Sequence, residues 1–183
     1  MKKVALIGDS IRLIGYGTKV PELLGDEYQV VGPTDNCRFS KYTLRGVALE
    51  WKSIIENCDV IHWNNGLWDF NDLGDGVFTT EDEYVTTMTR IAKILKANAK
   101  TVIFATTTPV RPGNPHHDNG RTKRYNDIIV PILKDMGIII NDLYSTVSKD
   151  IEAYILKEDS IHLTEKGIDV CAKQVADIIK SVI

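Results

Sequence analysis

Apolar positions along the chain follow two alternating rhythms: short continuous runs, and longer stretches where they recur every three or four residues. The first run, Val4-Ala5-Leu6-Ile7, follows two lysines and stops at Gly8-Asp9-Ser10. Four apolar residues are too few for a helix and suit a buried strand. Gln29-Val30-Val31, Val60-Ile61-His62-Trp63, Thr101 to Ala105 and Gly137 to Asn141 predict four more strands. Helical spacing is found from Thr43 to Asn57, from Arg121 to Met136 with a kink expected at Pro131, and from Leu143 to Leu156. The clearest helix start is Thr80-Glu81-Asp82-Glu83, a capping-box pattern followed by a stripe of Tyr84, Met88, Ile91 and Leu95 and ending near Ala97-Asn98. A last helix, capped by Thr164, buries Ile168, Ala172, Val175, Ile178, Ile179 and Val182. Residues 11–24 fit a short helix or an ordered loop equally well.

Strands and helices alternate throughout, which predicts an α/β protein: three layers, with a five-stranded, mostly parallel sheet and helices on both faces. With 183 residues and no linker or internal repeat, residues 1–183 are expected to form a single domain. In such sheets ligands sit beyond the carboxyl ends of the strands, so chemistry is expected in the loops after the first four.

Composition narrows the partners. Lys and Arg number 22 against 25 Asp and Glu, for a net charge of −3, so no broad basic face points to nucleic acid or an anionic membrane. Neither a signal peptide nor a membrane span is read from the sequence. Three scattered cysteines, Cys37, Cys58 and Cys171, suit reduced thiols in a cytoplasmic protein better than a disulfide or zinc framework. His116-His117-Asp118 sits in a proline-rich loop from Pro109 to Gly120 that is expected to cover or border a site. Adjacent histidines cannot easily converge on one ion, so neither a metal nor any other cofactor is expected.

Several loop residues could carry chemistry. Ser10 is either a helix cap or a nucleophile. His162 is a candidate base, and Asp159, three residues earlier, could hold its Nδ1–H; the pair could equally be solvated residues ahead of a helix. Asn65 could donate to an oxyanion or, with Gly66, form a turn. Arg38, Trp68, Arg111, His116 and His117 could line a pocket, with tryptophan suiting a sugar face, or serve ordinary loop packing.

Gly8-Asp9-Ser10 after the first strand, an asparagine loop after the third and Asp159-x-x-His162 before the last helix together resemble the SGNH hydrolases, also called GDSL esterases and lipases. The resemblance runs from residue 4 to residue 163 and implies a flavodoxin-like SGNH hydrolase fold. It implies Ser10 as nucleophile, His162 as general base and acid, Asp159 as its orienting carboxylate, and Asn65 with the Ser10 N–H as oxyanion donors. Two departures stand out. The family's Asn-x-x-x-Ser-Gly block reads Asn36-Cys37-Arg38-Phe39-Ser40-Lys41, leaving the Lys41 N–H as the oxyanion donor in place of glycine. The Gly-x-Asn-Asp block is matched by Trp63-Asn64-Asn65-Gly66, so Asn64 rivals Asn65.

The expected function is a serine esterase hydrolysing a small ester, with an O-acetyl group on a carbohydrate as the preferred substrate. The alternative is a catalytically silent carbohydrate-binding or nucleotide-binding α/β module. Gly15-Tyr16-Gly17 lacks the third glycine of a dinucleotide fingerprint, which argues against a nucleotide.

Overall fold

The computed structural model describes residues 1–183. Five parallel strands form one sheet: β1 (Lys2–Ile7), β2 (Tyr28–Val31), β3 (Cys58–Trp63), β4 (Ala99–Ala105) and β5 (Ile139–Asn141). Their spatial order is β2-β1-β3-β4-β5, with Ile7 opposite Trp63, Trp63 opposite Phe104, and Ala105 opposite Asn141. The order reverses between β1 and β3, so the crevice for a ligand lies beyond the ends of those two strands.

Eight helices flank the sheet: α1 (Val20–Leu24), α2 (Ser40–Ala48), α3 (Lys52–Ile55), α4 (Glu81–Asn98), α5 (Asn119–Asp135), α6 (Leu143–Ser148), α7 (Ile151–Tyr154) and α8 (Glu165–Ser181). Strand residues alternate between two cores. Val4, Leu6, Val60 and Ile103 pack with side chains of α1, α6 and α8. Ala5, Ile7, Ile61, Trp63 and Phe104 pack with side chains of α2 to α5. This period of two, with helices covering both faces, is why each strand reads as an unbroken apolar run.

The expected Thr80–Glu83 capping box is present, and Pro131 lies inside α5. Two expected helices are each broken. The stretch from Thr43 to Asn57 divides into α2 and α3 because Trp51 folds back onto Gly46, where a Cβ would collide with the indole. The stretch from Leu143 to Leu156 divides into α6 and α7, where Asp150 caps α7 by accepting from the Ala153 N–H at 3.1 Å. Residues 11–18 form a π-helical turn, Ile11–Gly15, followed by a 3-10 turn, Tyr16–Thr18. No helix is long and apolar enough to cross a membrane.

Candidate active site

Ser10 stands at the entrance to the π-helical turn and is half-buried, and its Oγ has no hydrogen-bond partner in the chain. The loop leading to it is fixed on three sides. Gly8 accepts from the Cys37 N–H at 3.1 Å and donates to Cys37 Sγ at 3.4 Å. A Cβ on Gly8 would run into the Asn64 side chain and Arg12 Cβ, so only glycine lets the backbone pass this close. Asp9 is buried, and its Oδ1 accepts from the Ile11 N–H and from Asn64 Nδ2, both at 2.9 Å. Burial raises the Asp9 carboxyl above its ordinary value, even though Asn64, Ile11, Arg12 and His162 all pull it down.

Behind this loop runs a buried chain of hydrogen bonds. Gln174 Nε2 donates to Asn141 Oδ1 at 2.7 Å, which turns Asn141 Nδ2 toward His62 Nε2, 3.1 Å away. His62 Nδ1 then lies 3.4 Å from the Tyr16 hydroxyl, which donates to Asn64 Oδ1 at 2.8 Å. Burial pushes His62 down to about 3, so it is neutral, with its proton directed at Tyr16.

The second half of the site comes from the turn before α8. Asp159 Oδ1 accepts from the Ile161 and His162 N–H groups at 2.9 Å each, and Oδ2 lies 2.7 Å from His162 Nδ1. Partial burial pushes the Asp159 carboxyl up, but these bonds outweigh it and hold it below its ordinary value. Ser160 adopts the left-handed conformation that closes the turn (φ 63°). Its carbonyl accepts from the Arg111 N–H at 2.9 Å, and Arg111 Nε donates to the Ile155 carbonyl at 2.8 Å. Arg111 therefore braces the histidine turn rather than lining a pocket.

Ser10 and His162 face one cleft of about 280 Å³, whose other walls are Asn36, Leu67, Trp68, Asn71, His117 and Ile161. A larger groove, about 560 Å³, lies between α1 and α8 and is lined mainly by charged side chains. It touches none of these groups. Of the other expected pocket residues, Trp68 and His117 reach the cleft, whereas Arg38, Arg111 and His116 do not. His117 Nε2 lies 2.9 Å from the Leu67 carbonyl, so the Pro109–Gly120 loop borders the cleft by docking on the loop after β3.

Asn65 and Lys41 are not among the cleft residues. Asn65 is fully buried; its Oδ1 accepts from Trp63 Nε1 at 2.7 Å and its Nδ2 donates to the Arg38 carbonyl at 2.9 Å. Lys41 lies in the first turn of α2, with Nζ 2.7 Å from Glu83 Oε1. The Gly-x-Asn-Asp spacing fits better at Gly66-Leu67-Trp68-Asp69. There Asp69 is buried and accepts from the Ser40 N–H and hydroxyl, and Trp68 takes the asparagine position. Asn36, Leu67, Asn71 and Ile161 are the wall residues that sequence reasoning did not single out. Only the asparagine-led block at Asn36 carried a signal for one of them.

No protein-family model and no curated protein sequence matches the chain. Solved structures do. A lipase/acylhydrolase from Enterococcus faecalis superposes with a TM-score of 0.80 at 20% identity, covering 99% of this chain and 96% of that one. The acetyl xylan esterase AlAXEase gives 0.75 at 24% identity, covering 99% of each chain. A catalytic mutant of Axe2, an acetylxylan esterase from Geobacillus stearothermophilus, gives 0.78 at 17% identity over 99% of this chain and 94% of that one. The sheet order, the helical layers and these superpositions together show that the chain has the SGNH/GDSL hydrolase fold.

Proposed function

We propose that the protein is a serine esterase that hydrolyses small esters, with O-acetyl groups on carbohydrate as the substrate class. The observation that carries this reading is the 2.7 Å hydrogen bond between Asp159 and His162, the histidine that shares its cleft with Ser10. Asp159 fixes the proton on Nδ1 and leaves Nε2 as the base. On this reading His162 takes the Ser10 proton as Oγ bonds to the acyl carbon, and the carbonyl oxygen becomes an oxyanion. The intermediate collapses as His162 passes the proton to the departing alcohol. Water, deprotonated by the same histidine, then cleaves the acyl-serine and releases the acid. The Ser10 N–H, which has no acceptor in the chain, is one oxyanion donor.

The cleft, at about 280 Å³, lies at the small end of ligand sites and favours a short acyl group. Its mixture of a partly exposed indole with two carboxamides and an imidazole suits a sugar hydroxyl face. Similar structures include acetylxylan esterases, which supports an acetylated carbohydrate. Three unpaired, buried cysteines suit a reducing compartment, and the cytoplasm is the proposed location.

The test is turnover of p-nitrophenyl acetate, butyrate and octanoate by the wild type, Ser10→Ala and His162→Ala, followed by acetylated xylooligosaccharides. The reading requires acetate to be the best chain length and both variants to lose at least three orders of magnitude in kcat/KM. Variants as active as the wild type would overturn it.

A further inference from the structure

A tetrahedral oxyanion needs more than one aimed donor, and the two expected to join the Ser10 N–H, the Asn65 side chain and the Lys41 backbone N–H, belong to residues outside the cleft. The position of the family's asparagine in Gly66-Leu67-Trp68-Asp69 is held by Trp68. A donor must therefore come from another wall. We propose that the carboxamide of Asn36, in the loop after β2, is the second oxyanion donor of this site. The inference rests on the serine esterase reading above.

Three observations support it. Asn36 faces the same cleft as Ser10 and His162. Its Oδ1 is tied down by the Arg38 N–H at 2.7 Å, which sets the plane of the amide, while its Nδ2 has no acceptor in the chain. Its neighbour Cys37 is bound to Gly8 through both the N–H and the thiol, at 3.1 and 3.4 Å, so the Asn36 loop and the Ser10 loop are held in register. A donor that is oriented before substrate arrives needs no reorganisation during the reaction.

Two other cleft groups could compete. Asn71 also has a free Nδ2, but its Oδ1 is buried without a partner, so nothing fixes its amide. Trp68 carries an indole N–H on a ring that is 43% exposed at the rim. Neither is tied to the nucleophile loop as Asn36 is.

The experiment compares Asn36→Asp, Asn36→Ala, Asn71→Ala, Trp68→Phe and Ser10→Ala on p-nitrophenyl acetate, together with inhibition by a small alkyl boronic acid that forms a tetrahedral adduct on serine. Asn36→Asp keeps the acceptor for the Arg38 N–H but replaces the donor with a negative charge, and Asn36→Ala removes the donor without adding charge, so the loss common to both reports the donor. Both Asn36 variants should lose 100-fold to 1000-fold in kcat, about the cost of one oxyanion donor, with KM changed less than threefold. Boronate affinity should fall in proportion to kcat. Asn36→Asp with kcat within threefold of wild type overturns the inference, as does a loss of that size in Asn71→Ala or Trp68→Phe alone. A Ser10→Ala variant that keeps wild-type activity overturns the esterase reading instead, so the two failures are distinguishable.

Discussion

Asp69 holds Ser40 through three hydrogen bonds: Oδ1 accepts the hydroxyl at 2.6 Å, and the two carboxylate oxygens share the N–H at 3.1 and 3.0 Å. A residue of the loop after β3 thereby anchors the start of α2. Two walls of the cleft, one carrying Trp68 and the other following Asn36, are joined beneath the surface by this pair.

Asp69 and His62 give the fold opposing responses to acid. Burial pushes the Asp69 carboxyl from 3.8 up to about 6, despite the hydroxyls of Ser40 and Thr79, and pushes His62 from 6.5 down to about 3. Between pH 4 and 6 the folded protein keeps a proton on Asp69 that the unfolded chain lacks, so this group gains stability as pH falls. His62 does the reverse, because the unfolded chain takes up a proton that the folded one refuses. The two cancel in that window. Relative to the wild type, Asp69→Asn should lose stability on going from pH 6 to 4 and His62→Gln should gain it, each by up to about 1.4 kcal/mol per pH step. Urea unfolding at pH 4, 5 and 6 measures both slopes, and parallel curves for all three proteins would contradict the assignment.

Asp159→Asn is expected to cost about 10²-fold to 10⁴-fold in kcat with little change in KM. Its amide can still accept from the Ile161 and His162 N–H groups but now presents an NH₂ to His162 Nδ1. That stabilises the tautomer with its proton on Nε2, which, on the esterase reading, cannot take one from Ser10. Because the Asp159 carboxyl lies below its ordinary value, its protonation should not set the acidic limb of the activity profile above pH 4. Steady-state kinetics from pH 4 to 9 on both proteins tests the two statements.

On the esterase reading, Gly8→Ala should lose at least 100-fold in activity, and it should lose about 2–4 kcal/mol in stability, since its methyl must displace Asn64 or Arg12 beneath the Ser10 loop. Gly113→Ala serves as the comparison, because a Cβ there meets nothing, although its φ of 86° still adds strain. Equal losses in the two variants would show that crowding does not govern Gly8, whose own φ lies outside the left-handed region.

The thiols should be silent. Burial pushes Cys37 to about 11 and Cys171 to about 12, and raises Cys58 as well. Native protein should release less than one equivalent with Ellman's reagent in minutes, and three after unfolding. A fast-reacting thiol in the native protein would contradict the burial of all three.

Much of this architecture could be read from local signals. The strands announced themselves as apolar runs, and the Thr80–Glu83 box and Asp159-x-x-His162 turn are short enough for their own side chains to complete. What could not be read depends on contacts between distant segments. Helical spacing from Thr43 to Asn57 gave no warning of a break, because Trp51 returns to the same buried side that the spacing had marked. Asn65 carries a plausible amide, yet the Trp63 indole and the Arg38 carbonyl claim it from either side. Asn36, Asn71 and His117 become neighbours only when three loops meet over the sheet.

Ser10 follows the first strand and His162 precedes the last helix, and α8 returns to pack beside α1. Closing so long a loop is entropically costly. On the esterase reading, ester turnover then reports complete folding: a refolding chain gains its base only when the turn before the C-terminal helix docks beside Ser10. Chains stalled before that point carry a nucleophile with nothing to activate it, so partly folded molecules would leave esters in their surroundings untouched.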